Sequence, residues 1–235
     1  MAAEVLVNIE QILGNIRAAA IKSGRDPGDV KLLAVTKTVA DAPILEALKA
    51  GITILGENYV QEAARKKTLL STTGKTVEWH MIGHLQTRKA ALAVQLFDMI
   101  HSLDREELAK ELNKRAGGAN RILPVLIQVN TSGETTKSGV LPAQALELAR
   151  VVAPMENLLL RGLMTIPPWF DDPEQARPYF RCLRELRDTI RAAGLPTVLM
   201  QELSMGMTDD YQVAIEEGAT MVRIGRGIFG ERLKE

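Results

Sequence analysis

A lysine closes the apolar run Lys31-Leu-Leu-Ala-Val-Thr-Lys37. Two-residue alternation places Leu33, Val35 and Lys37 on one face of a strand, with Leu32, Ala34 and Thr36 on the other. Such a lysine either carries its ammonium out to solvent on an apolar stem or lies partly buried. Burial would lower its pKa and leave a free amine able to attack a carbonyl. A second apolar run ends in Gly56-Glu-Asn58, where Asn58 could orient a ligand or, with Glu57, cap the next helix. His80 and His84 flank Met81-Ile-Gly83. Histidines four apart suit a metal on a helix face, and no third ligand is within sequence reach, so a metal site is not expected. His84 reads as pocket-lining, His80 as a core or wall residue, and His101 as structural.

Two glycine-containing turns could hold an anion. In Leu203-Ser-Met-Gly-Met-Thr-Asp209, hydroxyls and a glycine precede Asp209, an N-cap candidate with Gln212 at the reach-back position of a capping box. The other is Arg223-Ile-Gly-Arg-Gly-Ile-Phe-Gly230. Exposed amides and hydroxyls at such turns suit phosphate. The string Gly225-x-Gly227-x-x-Gly230 matches a dinucleotide fingerprint, but that fingerprint needs a further helix and strand, for which no length remains.

The elements that must position these residues alternate along the chain. Val5, Ile9, Ile12, Leu13, Ile16 and Ala20 fall at helical spacing, and Gly24 with Pro27 stops that helix. Strands are expected at 31–37, 53–56, 79–83, 98–102, 122–130, 160–166, 198–204 and 221–225. Between them helices are expected at 41–51, 59–67, 86–95, 105–116, 142–152, 172–193 and 209–217. Strands separated by helices imply right-handed crossovers and a parallel sheet. Eight such units in 235 residues fit an α/β fold of one domain, residues 1–235, a TIM-type (β/α)8 barrel with an extra N-terminal helix. A doubly wound open sheet is the competing topology. In a barrel, function sits where strands end, and phosphate is commonly held after strands seven and eight. Lys37, Asn58, His84 and both glycine turns fall at such places.

Composition narrows the function classes. Lys+Arg and Asp+Glu are both 29, so the formal net charge is zero and nucleic acid is not an expected partner. Apolar residues at 46% suit a globular protein, and no apolar run is long enough for a membrane span. The N-terminus lacks the features of a secretory signal, and the single cysteine, Cys182, excludes an internal disulfide. Both point to the cytoplasm.

Six segments together resemble one family. They are Ala34-Val-Thr-Lys-Thr38, Gly56-Glu-Asn-Tyr-Val-Gln-Glu62, Trp79-His-Met-Ile-Gly-His-Leu-Gln86, Gly162-Leu-Met-Thr-Ile-Pro-Pro168, Leu203-Ser-Met-Gly-Met207, and Val222-Arg-Ile-Gly225 with Ile228-Phe-Gly230. In order along the chain they are similar to the pyridoxal phosphate homeostasis proteins. The resemblance implies the barrel of the alanine-racemase N-terminal domain, with pyridoxal 5′-phosphate (PLP) held covalently on Lys37 as an aldimine. It also implies Asn58 beside the cofactor ring and Arg223 facing the pyridine nitrogen. Ser204 and the backbone of Met205, Gly225 and Arg226 would cradle the phosphate, and Met81, His84 and Met164 would line the pocket. Thr36 stands where the family often has serine, and Arg226 where a hydroxyl residue is expected.

An arginine at the pyridine nitrogen disfavours ring protonation and weakens the ring as an electron sink. The racemases supply a tyrosine from a second domain, and the barrel accounts for this chain's length. The resemblance therefore implies a non-catalytic PLP carrier in vitamin B6 homeostasis. PLP and B6 vitamers would be its ligands and PLP-dependent apo-enzymes its partners, and it would work as a monomer. A bare-barrel amino-acid racemase is the alternative, and a phosphosugar enzyme using Lys37 a third reading.

Overall fold

A computed structural model describes residues 2–231. Eight parallel strands pair in sequence order and close, β8 returning to β1. They are β1 (Lys31–Val35), β2 (Ile54–Glu57), β3 (Glu78–Met81), β4 (Met99–Leu103), β5 (Leu123–Gln128), β6 (Leu158–Met164), β7 (Val198–Ser204) and β8 (Met221–Ile224). The barrel expectation therefore holds and the open sheet is excluded. Around the cylinder run α1 (Ala2–Lys22), α2 (Asp41–Lys49), α3 (Val60–Leu70), α4 (Ala90–Leu96), α5 (Glu106–Gly118), α6 (Pro142–Val152), α7 (Arg177–Ala192), α8 (Tyr211–Glu216) and α9 (Arg226–Phe229). The short α9 is absent from the sequence expectation. α4 and α7 are each preceded by a 3-10 turn, at Thr87–Lys89 and Pro173–Ala176. None of the described helices is long and apolar enough to cross a membrane.

Strands buried on both faces read as continuous apolar runs, which is why most were visible in the sequence. Their two faces feed different cores. Leu33, Val35, Ile54, Ile82, Met99, Leu126, Met164 and Met221 fill the cylinder. Leu32, Ala34, Leu55, Trp79, Met81, Ile100 and Val222 pack outward beneath the helices. The predicted grouping of Leu33 with Val35, opposite Leu32 and Ala34, is the observed one. Below the interior plug, Glu202 on β7 pairs with Lys31 on β1 at 2.7 Å. α1 packs on α2, α8 and α9. Asn8 on it donates to the Ile228 carbonyl at 3.1 Å.

Two expected caps are not made. Asp41 opens α2 as its first residue behind Ala40 and pairs instead with Arg65 at 2.9 Å. Asp210, not Asp209, precedes α8, and its carboxylate accepts the Met207 amide at 2.6 Å.

The β6–β7 pairing shifts register between Leu160 and Gly162. There the backbones are so close that a Cβ on Gly162 would lie 1.9 Å from the Glu202 carbonyl oxygen. Neither backbone is a flexible side-chain end that could move aside. Gly162→Ala is expected to lower unfolding stability by about 1–3 kcal/mol, read from urea denaturation midpoints at unchanged m-value.

Candidate functional site

Lys37 lies two residues beyond the end of β1, half-buried, at the mouth where the strands' C-terminal ends open. The chain leaves the strand at Thr36 and turns at Lys37 and Thr38. Its neighbours are clamped from one side of the barrel. Lys66 on α3, wholly buried, donates to the Thr36 carbonyl, and at 2.7 Å each to Glu57 Oε1 and Glu62 Oε1. Thr36 donates its hydroxyl to the same Glu57 oxygen at 2.6 Å, and the Thr38 amide donates to Glu62 Oε1 at 2.7 Å. Thr38 is left-handed at φ 58. That conformation is costly for a β-branched residue and persists only where surroundings impose it.

Burial pushes the Glu57 carboxyl above its usual range, with the Lys66 and Thr36 hydrogen bonds acting against it. Glu57 is therefore no helix cap: α3 starts behind Tyr59 without a side-chain cap. Sequence reasoning missed Lys66 altogether. The available signal was its position four residues after Glu62, a helical ion-pair spacing.

A second network runs through the barrel's interior. Arg223 on β8 is buried at 4% exposure. It donates through Nη1 to Ser204 Oγ at 2.8 Å and through Nη2 to the Thr165 carbonyl at 2.8 Å. Ser204 Oγ lies 3.0 Å from His101 Nδ1, and His101 Nε2 lies 2.9 Å from His80 Nδ1. His80 Nε2 lies 2.9 Å from Glu78 Oε1, whose side chain is half exposed at the opposite end of the barrel. Burial brings Arg223 down to about 10, partly countered by Asp210, and it stays a cation at neutral pH. His101 is driven well below the usual histidine range by burial first, then by His80 and Arg223. The His80 hydrogen bond holds Glu78 below the usual carboxylate range.

The remaining predicted residues divide. Met164 belongs to the interior plug. Asn58 is half-buried beyond β2, and its backbone presses on Gly83, where a Cβ would meet the Asn58 oxygen at 2.6 Å. Met81 faces the outer core because its neighbour His80 takes the inward face, so it does not line the mouth. His84 is exposed at the rim, 3.4 Å from Asp104. The Met205 amide is committed to the Met221 carbonyl at 3.1 Å and is not available to a phosphate. Ser204, expected among the phosphate donors, sits with its hydroxyl inside the barrel network. Gly225 keeps its amide without a hydrogen bond among the described residues. Arg226 turns to Asp209, donating from Nη2 to both carboxylate oxygens at 2.6 and 2.5 Å. The Gly227 amide donates to Thr208 Oγ1 at 3.2 Å. The turns after β7 and β8 are thereby tied together, beside a cleft of about 370 Å³ lined by Met207, Thr208, Asp209, Arg226 and Glu231. Among the described residues no group of three or more His, Cys, Asp or Glu side chains could hold a metal.

Residues 7–233 match the family described as "Alanine racemase, N-terminal domain". A pyridoxal phosphate homeostasis protein of Aquifex aeolicus is 46% identical over 224 residues, covering 95% of this chain and 96% of its own. The Escherichia coli K12 protein of that name is 43% identical, covering 97% of each. The chain belongs to the pyridoxal phosphate homeostasis protein family. The structure of PipY from Synechococcus elongatus with PLP bound superposes with a TM-score of 0.80 at 35% identity, covering 92% of this chain and 99% of PipY. An alanine racemase of Clostridium difficile shares the fold at TM-score 0.74 and 16% identity, with 58% of its length covered.

For this member of the pyridoxal phosphate homeostasis protein family, both networks make measurable claims. Lys66→Met would leave the buried Glu57 without its cationic partner, and stability should drop by about 3–5 kcal/mol in chemical denaturation. His101 binds its proton in the unfolded chain near pH 6.5 and resists it when folded. Stability should therefore fall as pH drops below 6.5, by up to about 1.4 kcal/mol per pH unit. Urea melts at pH 6.5, 6.0 and 5.5 should show that slope in the wild type and lose it in His101→Leu.

Proposed function

We propose that this chain binds PLP at the mouth of its barrel and holds it for exchange rather than for catalysis. In this reading it works as a cytoplasmic monomer that buffers PLP and supplies PLP-dependent apo-enzymes. When bound, PLP supplies an aldehyde that an amine can capture and a pyridine ring that withdraws electrons. Lys37 is the covalent anchor, carried on backbone that the Lys66–Glu57–Glu62 clamp holds at Thr36 and Thr38.

The observation that carries the reading is Arg223. A guanidinium has five N–H donors, and hydrogen bonds to Ser204 and Thr165 use two of them. A buried cation with donors in reserve suits an acceptor such as an unprotonated ring nitrogen. Register places Leu33 beside Arg223. Lys37 follows Leu33 by four residues, in the turn just past the end of β1. That order suits a lysine anchor nearer the mouth and a cation deeper in the barrel.

Because Arg223 keeps its proton, it does not protonate the nitrogen it faces, and carbanion chemistry on the ring is left poorly supported. Asn58 would help to hold the ring, and Met164 with the interior plug would shield it from water. The Gly225 amide and the Gly225–Arg226 turn take the phosphate, with Arg226 bracing that turn through Asp209. The racemase likeness is one of fold and gives this chain no racemase chemistry.

The test is borohydride reduction of PLP-loaded protein followed by peptide mass spectrometry. The pyridoxyl group is expected on Lys37, and Lys37→Ala should lose the visible absorbance of the lysine-bound cofactor. Loaded protein should turn over none of a panel of L- and D-amino acids. Undiminished absorbance in Lys37→Ala defeats the anchor, and robust turnover defeats the carrier.

A further inference from the structure

With both imidazoles neutral, the hydrogen bonds from Arg223 to Glu78 admit one self-consistent set of directions. Arg223 has donors only, so Ser204 Oγ accepts at 2.8 Å. Glu78, held as a carboxylate, has acceptors only, so His80 Nε2 carries a proton and donates at 2.9 Å. A neutral His80 then presents Nδ1 as an acceptor, and His101 donates to it from Nε2. His101 is neutral, so its Nδ1 accepts, and the Ser204 hydroxyl proton goes there at 3.0 Å. Every donor along the chain then points from Arg223 toward Glu78. The opposite setting would protonate His101 Nδ1 and leave the buried Ser204 proton with no acceptor, a costly arrangement in a dry interior.

We propose that Glu78, His80 and His101 are positioning residues for the cofactor site. Acting through Ser204 from the far end of the barrel, they fix Ser204 as an acceptor and so hold the Arg223 guanidinium in place. The chain runs through the cylinder, with a buried cation toward the mouth and an anion at the half-exposed base. Bonds aligned in one direction strengthen one another, and opposite end charges favour that alignment. Ser204 consequently serves Arg223 and not the phosphate. The link to PLP rests on the proposed function; the direction of the chain does not.

Protein labelled with 15N at histidine contains three labelled side chains, and long-range 1H–15N correlation reads their tautomers without cofactor. Neutral Nε2–H rings are expected at both His80 and His101. An Nδ1–H ring at His101 or a charged His80 at neutral pH would overturn the proposal. Glu78→Gln keeps an acceptor and should preserve both tautomers and PLP affinity. Glu78→Lys offers only donors, so both rings should switch to Nδ1–H and PLP should bind about tenfold more weakly, with Lys37 still the modified residue. Unchanged tautomers in Glu78→Lys would show that the base of the barrel does not set the direction. Reversed tautomers with wild-type affinity and absorbance would show that the chain does not reach the cofactor site. Should wild-type protein take up no PLP, the proposed function fails, and the cofactor-free spectra still decide the direction of the chain.

Discussion

A guanidinium inside a closed cylinder is expensive. Removing such an ion from water costs several kcal/mol even after the protein relaxes, and only close partners make it tolerable. Arg223 meets this requirement with a serine hydroxyl, a backbone carbonyl and a line of imidazoles that ends in a carboxylate at the other mouth. Much of the interior follows from that need. Three strands, β3, β4 and β7, give inward positions to polar residues that a purely structural barrel would fill with valine or leucine. The remaining interior is packed by small clusters of aliphatic and methionine side chains that keep the line dry.

Lys37, the proposed anchor, is governed by a separate device. Lys66, Glu57 and Glu62 form a buried charge cluster that takes hold of the residues on either side of Lys37. The two networks do not share a residue. One fixes the backbone that carries the amine, and the other fixes the cation deeper in the barrel. A flat ligand between them would have both of its ends defined by rigid structure rather than by loops that must order on binding, which limits the entropic cost of association.

Much of this was legible before folding. Continuous apolar strands divided by amphipathic helices gave the barrel, and period-two alternation correctly set Leu33, Val35 and Arg223 on inward faces. The errors have local causes. Met81 was expected to line the pocket on the family resemblance alone, yet an inward His80 forces it outward. Asp41 and Asp209 look like caps by type and spacing, but each has an arginine within reach and forms an ion pair instead. The histidine line joins residues 80, 101 and 204 across a closed sheet, and no window of sequence contains it. Lys66 drew no reading from the sequence, because only tertiary packing buries it wholly near the mouth.

The tie between the seventh and eighth turns has a consequence for anyone rebuilding this scaffold. Asp209 and Thr208 belong to one turn, Arg226 and Gly227 to the other, and each contact crosses between them. Neither turn is a self-sufficient module. Grafting the eighth alone onto another barrel would import a cation stripped of its counter-ion, and diversifying the seventh alone would unbrace its neighbour. The pair is one cassette, inherited or redesigned together.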